Sequence, residues 1–220
     1  MKKIHSVIGY IIILTSFTSV AKSQLTDIDG NTYKTVQIGT QLWMAENLRT
    51  IRYNDGSKIP LVTGSKWNTM TTDGYCWYKN DYKNFGNIYG PLYNWYAVGT
   101  GKLCPTGWHV PTDAEWAALR EYLGGEKTAG GKLKETGTVH WRSPNTGGTD
   151  DYGFNALPGG GRWVIGHFDL IYRRGYWWSS SRGDNDSEAL TSILGYDESS
   201  FKITGTLKGS GFSVRCIKDK

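Results

Sequence analysis

Cys104-Pro105-Thr106-Gly107-Trp108-His109-Val110-Pro111-Thr112-Asp113-Ala114-Glu115-Trp116 places a cysteine, two tryptophans and a helix start close together. Thr112 and Glu115 have the Thr-x-x-Glu spacing of a capping box. The threonine oxygen accepts a free amide proton of the first turn, and the glutamate reaches back to the cap amide. Pro111 supplies a rigid, extended entry. Trp116, Leu119 and Leu123 carry one apolar stripe and Gly124-Gly125 stops it, so the pattern predicts a helix over 113–123.

Upstream, Thr32 to Leu42 reads as a hairpin bending at Gly39-Thr40, with Val36 and Ile38 alternating with polar residues. Met44 to Leu48 is a short turn or helical piece. Tyr53 to Thr72 is an ordered loop anchored by Ile59, Leu61 and Trp67, and Gly74 to Tyr78 is a short strand. Pro91 to Val98 has Leu92, Trp95 and Tyr96 at helical spacing behind a first-turn proline, which predicts the first helix. Downstream, Ala129 to Glu135 is a weak helix because Gly130 and Gly131 lie inside it. Strands are expected at Phe154–Leu157, Gly161–Ile165, Gly175–Ser179, Leu190–Tyr196, Phe201–Gly205 and Phe212–Ile217. Hairpin, helices, then strands make an α+β domain rather than a βαβ alternation.

The central motif resembles the Pro-Thr-x-Ala-Glu-Trp signature of formylglycine-generating-enzyme-like domains, which elaborate the C-type lectin fold. Further blocks are similar to the Fibrobacter succinogenes major paralogous domain family: Asp27 to Tyr33, Gln41 to Leu48, Tyr89 to Tyr96, Trp177 to Ser180 and Gly211 to Cys216. The likeness spans about residues 25 to 219. It implies a C-type-lectin-like, formylglycine-generating-enzyme-like single domain with two main helices and short antiparallel strands. That family is abundant in exported bacterial proteins and is generally without an assigned activity.

Lys2 and Lys3 precede an apolar run from Val7 to Val20 and then Ala21-Lys22-Ser23, the pattern of a secretory signal peptide cut before Gln24. Thr15, Ser16, Thr18 and Ser19 interrupt the run, which is shorter than the ~20 residues of a membrane span. No cysteine follows it to carry a lipid anchor. Residues 24–220 then form one domain, exported to the periplasm, the cell surface or the medium, with no membrane insertion after cleavage.

Without Lys2, Lys3 and Lys22, the 25 basic residues fall to 22 against 20 acidic ones. That balance argues against nucleic acid as a partner, which would require a basic stripe or cluster. With 29 glycines, 10 tryptophans and 14 tyrosines, the core is expected to rest on large aromatics within a loop-rich chain.

Three cysteines remain in a compartment where disulfides persist. Cys104 and Cys216 are the expected pair, tying the last strand to the middle of the chain, with Cys76 a buried free thiol. The sequence leaves the other pairings open.

The chemistry implied by the formylglycine-generating relatives needs two close reactive cysteines near the C-terminal end, and only Cys216 is there. The Glu-Pro-Asn, Gln-Pro-Asp and Trp-Asn-Asp triplets of calcium-dependent lectins are absent. Asp27-Ile28-Asp29-Gly30-Asn31 reads as a tight turn. Asp150-Asp151 and Asp184-Asn185-Asp186 read as solvated loops, with a structural calcium at one of them as the alternative, and no other cofactor is expected. His109, His140 and His167 stand alone, without the spacing of zinc ligand pairs. Glu115 is explained by its capping box, although glycosidase chemistry would also use paired carboxylates. Arg182-Gly183-Asp184 spells an adhesion tripeptide in a polar loop, and Asn185-Asp186-Ser187 fits a glycosylation sequon.

Trp43, Trp95, Trp108, Trp116 and Trp177 are expected in the core. Trp163, Tyr172, Arg174 and Tyr176 lie in a glycine-rich stretch and are the candidate ligand-binding residues, since aromatics beside hydrogen-bonding side chains suit sugars and peptides. The reading is a non-catalytic binding or adhesion module whose loops over 141–187 meet a glycan or a cell-surface protein. The alternatives are an enzyme with an unrecognised carboxylate or metal site and a structural component of a surface assembly.

Overall fold

The capping box forms as its spacing predicts. In the computed structural model, which describes residues 24–220, Thr112 Oγ1 accepts from the Glu115 amide at 3.3 Å and Glu115 Oε2 accepts from the Thr112 amide at 2.9 Å. The signal peptide expected over 1–23 lies outside the described residues. Asp113–Tyr122 is helical, and its stripe of Trp116, Leu119 and Leu123 is buried. Trp116 packs 4.7 Å from Trp43 and edge-on to Phe154 and Phe201, so large rings fill this half of the core.

Three antiparallel sheets meet along the last few residues. Gly211–Phe212 is the middle strand of five, with Leu92–Asn94 then Tyr75–Cys76 on one side and Gly161–Arg162 then Phe168–Asp169 on the other. Ile217–Lys218 is an inner strand of four, between Trp108–His109 and the hairpin of Thr35–Ile38 with Gln41–Met44. Between these two strands, Ser213 bridges Trp177 of the third sheet, Arg174–Arg182, Glu188–Gly195 and Phe201–Leu207. Residues 211–217 are all buried. The expected bridge joins Cys216 to Cys104, and Cys76 is a buried free thiol. A two-stranded ribbon, Leu25–Thr26 with Thr32–Tyr33, encloses the Asp27 turn. There the Asp27 carboxylate accepts from the amides of Asp29 and Asn31 and from the Tyr33 hydroxyl. Among the described residues no helix is long and apolar enough to cross a membrane.

The structure corrects several expectations. Leu92–Asn94 is a strand, fully buried between two neighbours, and only Trp95–Val98 is helical. Asn94, not Pro91, starts that helix: its side chain accepts from the Ala97 amide. Pairing on both edges outweighs a helical spacing that four residues are too few to enforce. Phe154–Leu157 forms no strand and contributes one bridge, Lys134 to Ala156. Leu61 is exposed, whereas Ile59 and Trp67 anchor their loop. The glycines that weaken the helix at Ala129–Leu133 are there for close approach. A Cβ on Gly130 would stand 2.2 Å from the Ser200 carbonyl oxygen, and one on Gly131 would stand 2.4 Å from that of Gly147.

Candidate functional site

Two cavities flank His140. The first, about 710 Å³, is lined by Lys34, Glu46, Asn47, Arg49, His140, Asp150, Asn155 and Arg215 among others. The second, about 520 Å³, is lined by Val139, His140, Arg142, Tyr172, Arg173 and neighbours from both loops. Both lie within the usual size range of small-molecule sites.

The loop that carries His140 is held at several points. Asn145 Nδ2 donates to the carbonyls of Glu135 and Gly137, Trp141 Nε1 donates to the Ala156 carbonyl, and the Arg142 amide donates to the Tyr172 carbonyl. His140 Nδ1 stands 2.8 and 2.9 Å from the two Glu135 oxygens. With Nδ1 turned to that carboxylate, Nε2 is the ring nitrogen left without a hydrogen-bond partner among the described residues. Tyr89 stands edge-on to both His140 and Tyr172.

The carboxyls of the first cavity are pushed in opposite directions. Burial raises Asp150 above the ordinary aspartate range, against the Asn155 amide that hydrogen-bonds it. For Glu46 burial pulls upward too, but the Lys34 amide and the Arg49 guanidinium outweigh it and hold the carboxyl low. Asp150 and Asn155 adopt left-handed backbone with φ of 46° and 53°. In the second cavity Leu170 and Tyr172 do so as well, at 66° and 65°. Asn and Asp visit that region routinely, but leucine and tyrosine there are costly and mark a segment held by its surroundings.

The four candidate ligand residues do not converge. Tyr172 is exposed and lines the second cavity. Trp163 is half-buried, edge-on to Tyr176 and Phe212. Tyr176 is buried and stacked on Phe212 at 4.8 Å, so its ring belongs to the core rather than to a surface. Arg174 turns away to Asp197 and Glu198. Of the expected core tryptophans, Trp43, Trp95, Trp116 and Trp177 are buried and Trp108 is half-buried. His109 bridges Glu115 and Asp219, and burial pushes the Cys76 thiol up to about 12. Arg182 and Asp184 are exposed where Arg174–Arg182 turns into Glu188–Gly195. Among the described residues no three or more His, Cys, Asp or Glu side chains stand together as a metal set.

Sequence reasoning missed Glu135, His140, Asp150 and Arg215 as a group. Arg215 carried one signal, a charge inside an otherwise apolar closing block. The spacing of Glu135 and His140 carried none.

The fold and its bridge define an α+β, disulfide-tied domain with loop-built clefts. A family model described as the Fibrobacter succinogenes major domain matches residues 36–218, and the chain belongs to that family. No curated protein and no solved structure matches it.

Proposed function

We propose that this chain is an exported, non-catalytic binding or adhesion module on a C-type-lectin-like, formylglycine-generating-enzyme-like scaffold, and that its cleft at Tyr172 engages a glycan or a cell-surface protein. The observation that carries the reading is Tyr172 itself. It is an exposed aromatic in left-handed backbone, pinned by hydrogen bonds from its amide to Pro158 and to its carbonyl from Arg142, beside a cavity flanked by Arg142 and Arg173. A rigid ring in a cleft that two arginines also line suits the apolar face and hydroxyls of a sugar, or a peptide side chain. The loops concerned, 138–142 and 169–173, overlap the region expected to present the site. Screening residues 24–220 against glycans and cell-surface proteins tests this. Binding that drops at least tenfold in Tyr172→Ala, with the circular dichroism unchanged, is expected; no binding, or binding indifferent to Tyr172, overturns it.

One observation favours a second reading, an enzyme. Glu46, Asp150 and His140 line one cavity with the two carboxyls pushed apart in acidity, the pattern of an acid and base pair. A hydrolytic activity abolished by Asp150→Asn but retained in Tyr172→Ala would establish it.

A further inference from the structure

The first cavity is lined by a buried cation that no carboxylate contacts directly. Arg215 is fully buried and lines it, packed on the Phe154 ring at 4.2 Å. Its Nη1 donates to the Phe154 carbonyl and its Nη2 to Asn47 Oδ1 at 3.0 Å and the Asn155 carbonyl at 3.4 Å, while Nε has no partner. Among the described residues no carboxylate lies within ion-pair distance of it, and burial depresses its pKa below the arginine range, with Asp150 and Glu46 offsetting this only in part from farther off. A buried charge is costly unless an opposite charge meets it.

The remaining charges decide which ligand would do so. Arg49 closes on Glu46 at 2.6 Å and the two cancel. The Lys34 side chain is exposed and, among the described residues, has no ion-pair partner. Glu135 takes the Nδ1 face of His140. Lys34 and Arg215 against Asp150 leave one positive charge. That matches one carboxylate, whereas a doubly charged phosphate would leave an uncompensated negative charge beside Asp150. Around it stand groups suited to hydroxyls: the side-chain amides of Asn155 and Asn87 and Nε2 of His140.

We infer that this cavity is a subsite for the carboxylate of an acidic sugar, a hexuronate, adjoining the aromatic cleft at Tyr172. The inference rests on the glycan form of the function proposed above and names its ligand class. Lys34 meets the carboxylate, Arg215 buried behind the cavity wall adds a second positive charge without touching it, and the sugar hydroxyls reach Asn155 and His140. Because His140 lines both cavities, a chain of sugars reaching past it would occupy both.

Titration calorimetry of residues 24–220 with trigalacturonate and with galactotriose tests it, the two probes differing in charge at C6. Trigalacturonate is expected to bind at least tenfold tighter, with a preference that shrinks as salt rises. Lys34→Glu, on the surface, should erase that preference and leave galactotriose binding unchanged; Arg215→Met should weaken trigalacturonate alone where it folds. Equal affinity for the two sugars overturns the carboxylate subsite and leaves sugar binding at Tyr172 standing. A preference that survives Lys34→Glu overturns its placement here. If neither sugar binds, the subsite falls, and the wider reading falls with it only if the Tyr172-dependent screen is also empty.

Discussion

Lys134 is an ionisable side chain sealed in the core. Its ammonium donates to the carbonyls of Thr146, Gly195 and Glu198 at 2.8 to 2.9 Å, which uses all three of its protons. Three segments distant in sequence are thus tied by one atom. Burial pushes the group down to about 8, against weaker support from Asp197 and Glu198. Lys134→Met leaves three buried carbonyls without donors, at about 1 to 3 kcal/mol each, partly offset by removal of the buried charge. A net loss of about 2 to 4 kcal/mol in denaturant unfolding is expected at pH 7.5. Below about 8 the lysine is charged in both states, so its desolvation cost is fully present. Between that value and the unfolded lysine value near 10.4, the unfolded chain holds more protons and wild-type stability rises with pH. The gap to Lys134→Met should therefore widen at pH 9.5. A variant as stable as wild type would show that the three carbonyls need no donor.

At the scale of elements, His109 fastens a strand to a helix and to the chain's last residues. Its Nδ1 stands 2.6 Å from Asp219 and its Nε2 3.0 Å from Glu115, the glutamate of the capping box. Burial alone would lower the imidazole, but the two carboxylates outweigh it and raise it. Burial would likewise raise Glu115, yet the Thr112 amide and His109 hold it low. The imidazolium's contribution is fully present below its unfolded value of about 6.5 and fades as pH rises through the raised folded value. That of Glu115 is present above about 4.5 and fades as pH falls through its lowered value. Both operate between those limits. Thermal melts of His109→Gln should show a loss under about 1 kcal/mol, because the pair is partly solvated, largest near pH 5.5 and smaller at pH 8.5. Thr112→Ala should cost about 1 kcal/mol at both. A His109→Gln deficit that grows with pH would contradict the assignment. The helix at Asp113–Tyr122 was legible because its signals are local: a cap, a stripe and a stop. The strand at Leu92–Asn94 was not, since only its partners at 75–76 and 211–212 make it a strand. The site was barely legible for the same reason. Tyr172 stood out by its type and surroundings, whereas Glu135, His140, Asp150 and Arg215 meet only once the chain is folded.

For the molecule as a whole, the closing segment is what makes three small sheets cohere. Gly211–Phe212 completes one, Ser213 bridges another, and Ile217–Lys218 completes the third. A segment whose strands are two residues long would ordinarily be weakly held. Here the bridge from Cys216 to Cys104 anchors it across a separation of 112 residues. Closing so long a loop restricts the unfolded chain strongly, and losing such a bridge typically costs about 2 to 5 kcal/mol. Because strands in all three sheets depend on this one segment, the loss should not stay local. Cys104→Ser is expected to lower the denaturation midpoint while tryptophan fluorescence and far-ultraviolet circular dichroism still change together. Native wild-type protein should offer no thiol to a labelling reagent, since Cys76 is buried and its thiol is held protonated, and one thiol after denaturation. Two separated transitions in Cys104→Ser, with the helical signal outlasting the sheet signal, would mean that the closing segment is an attachment to a core that stands without it.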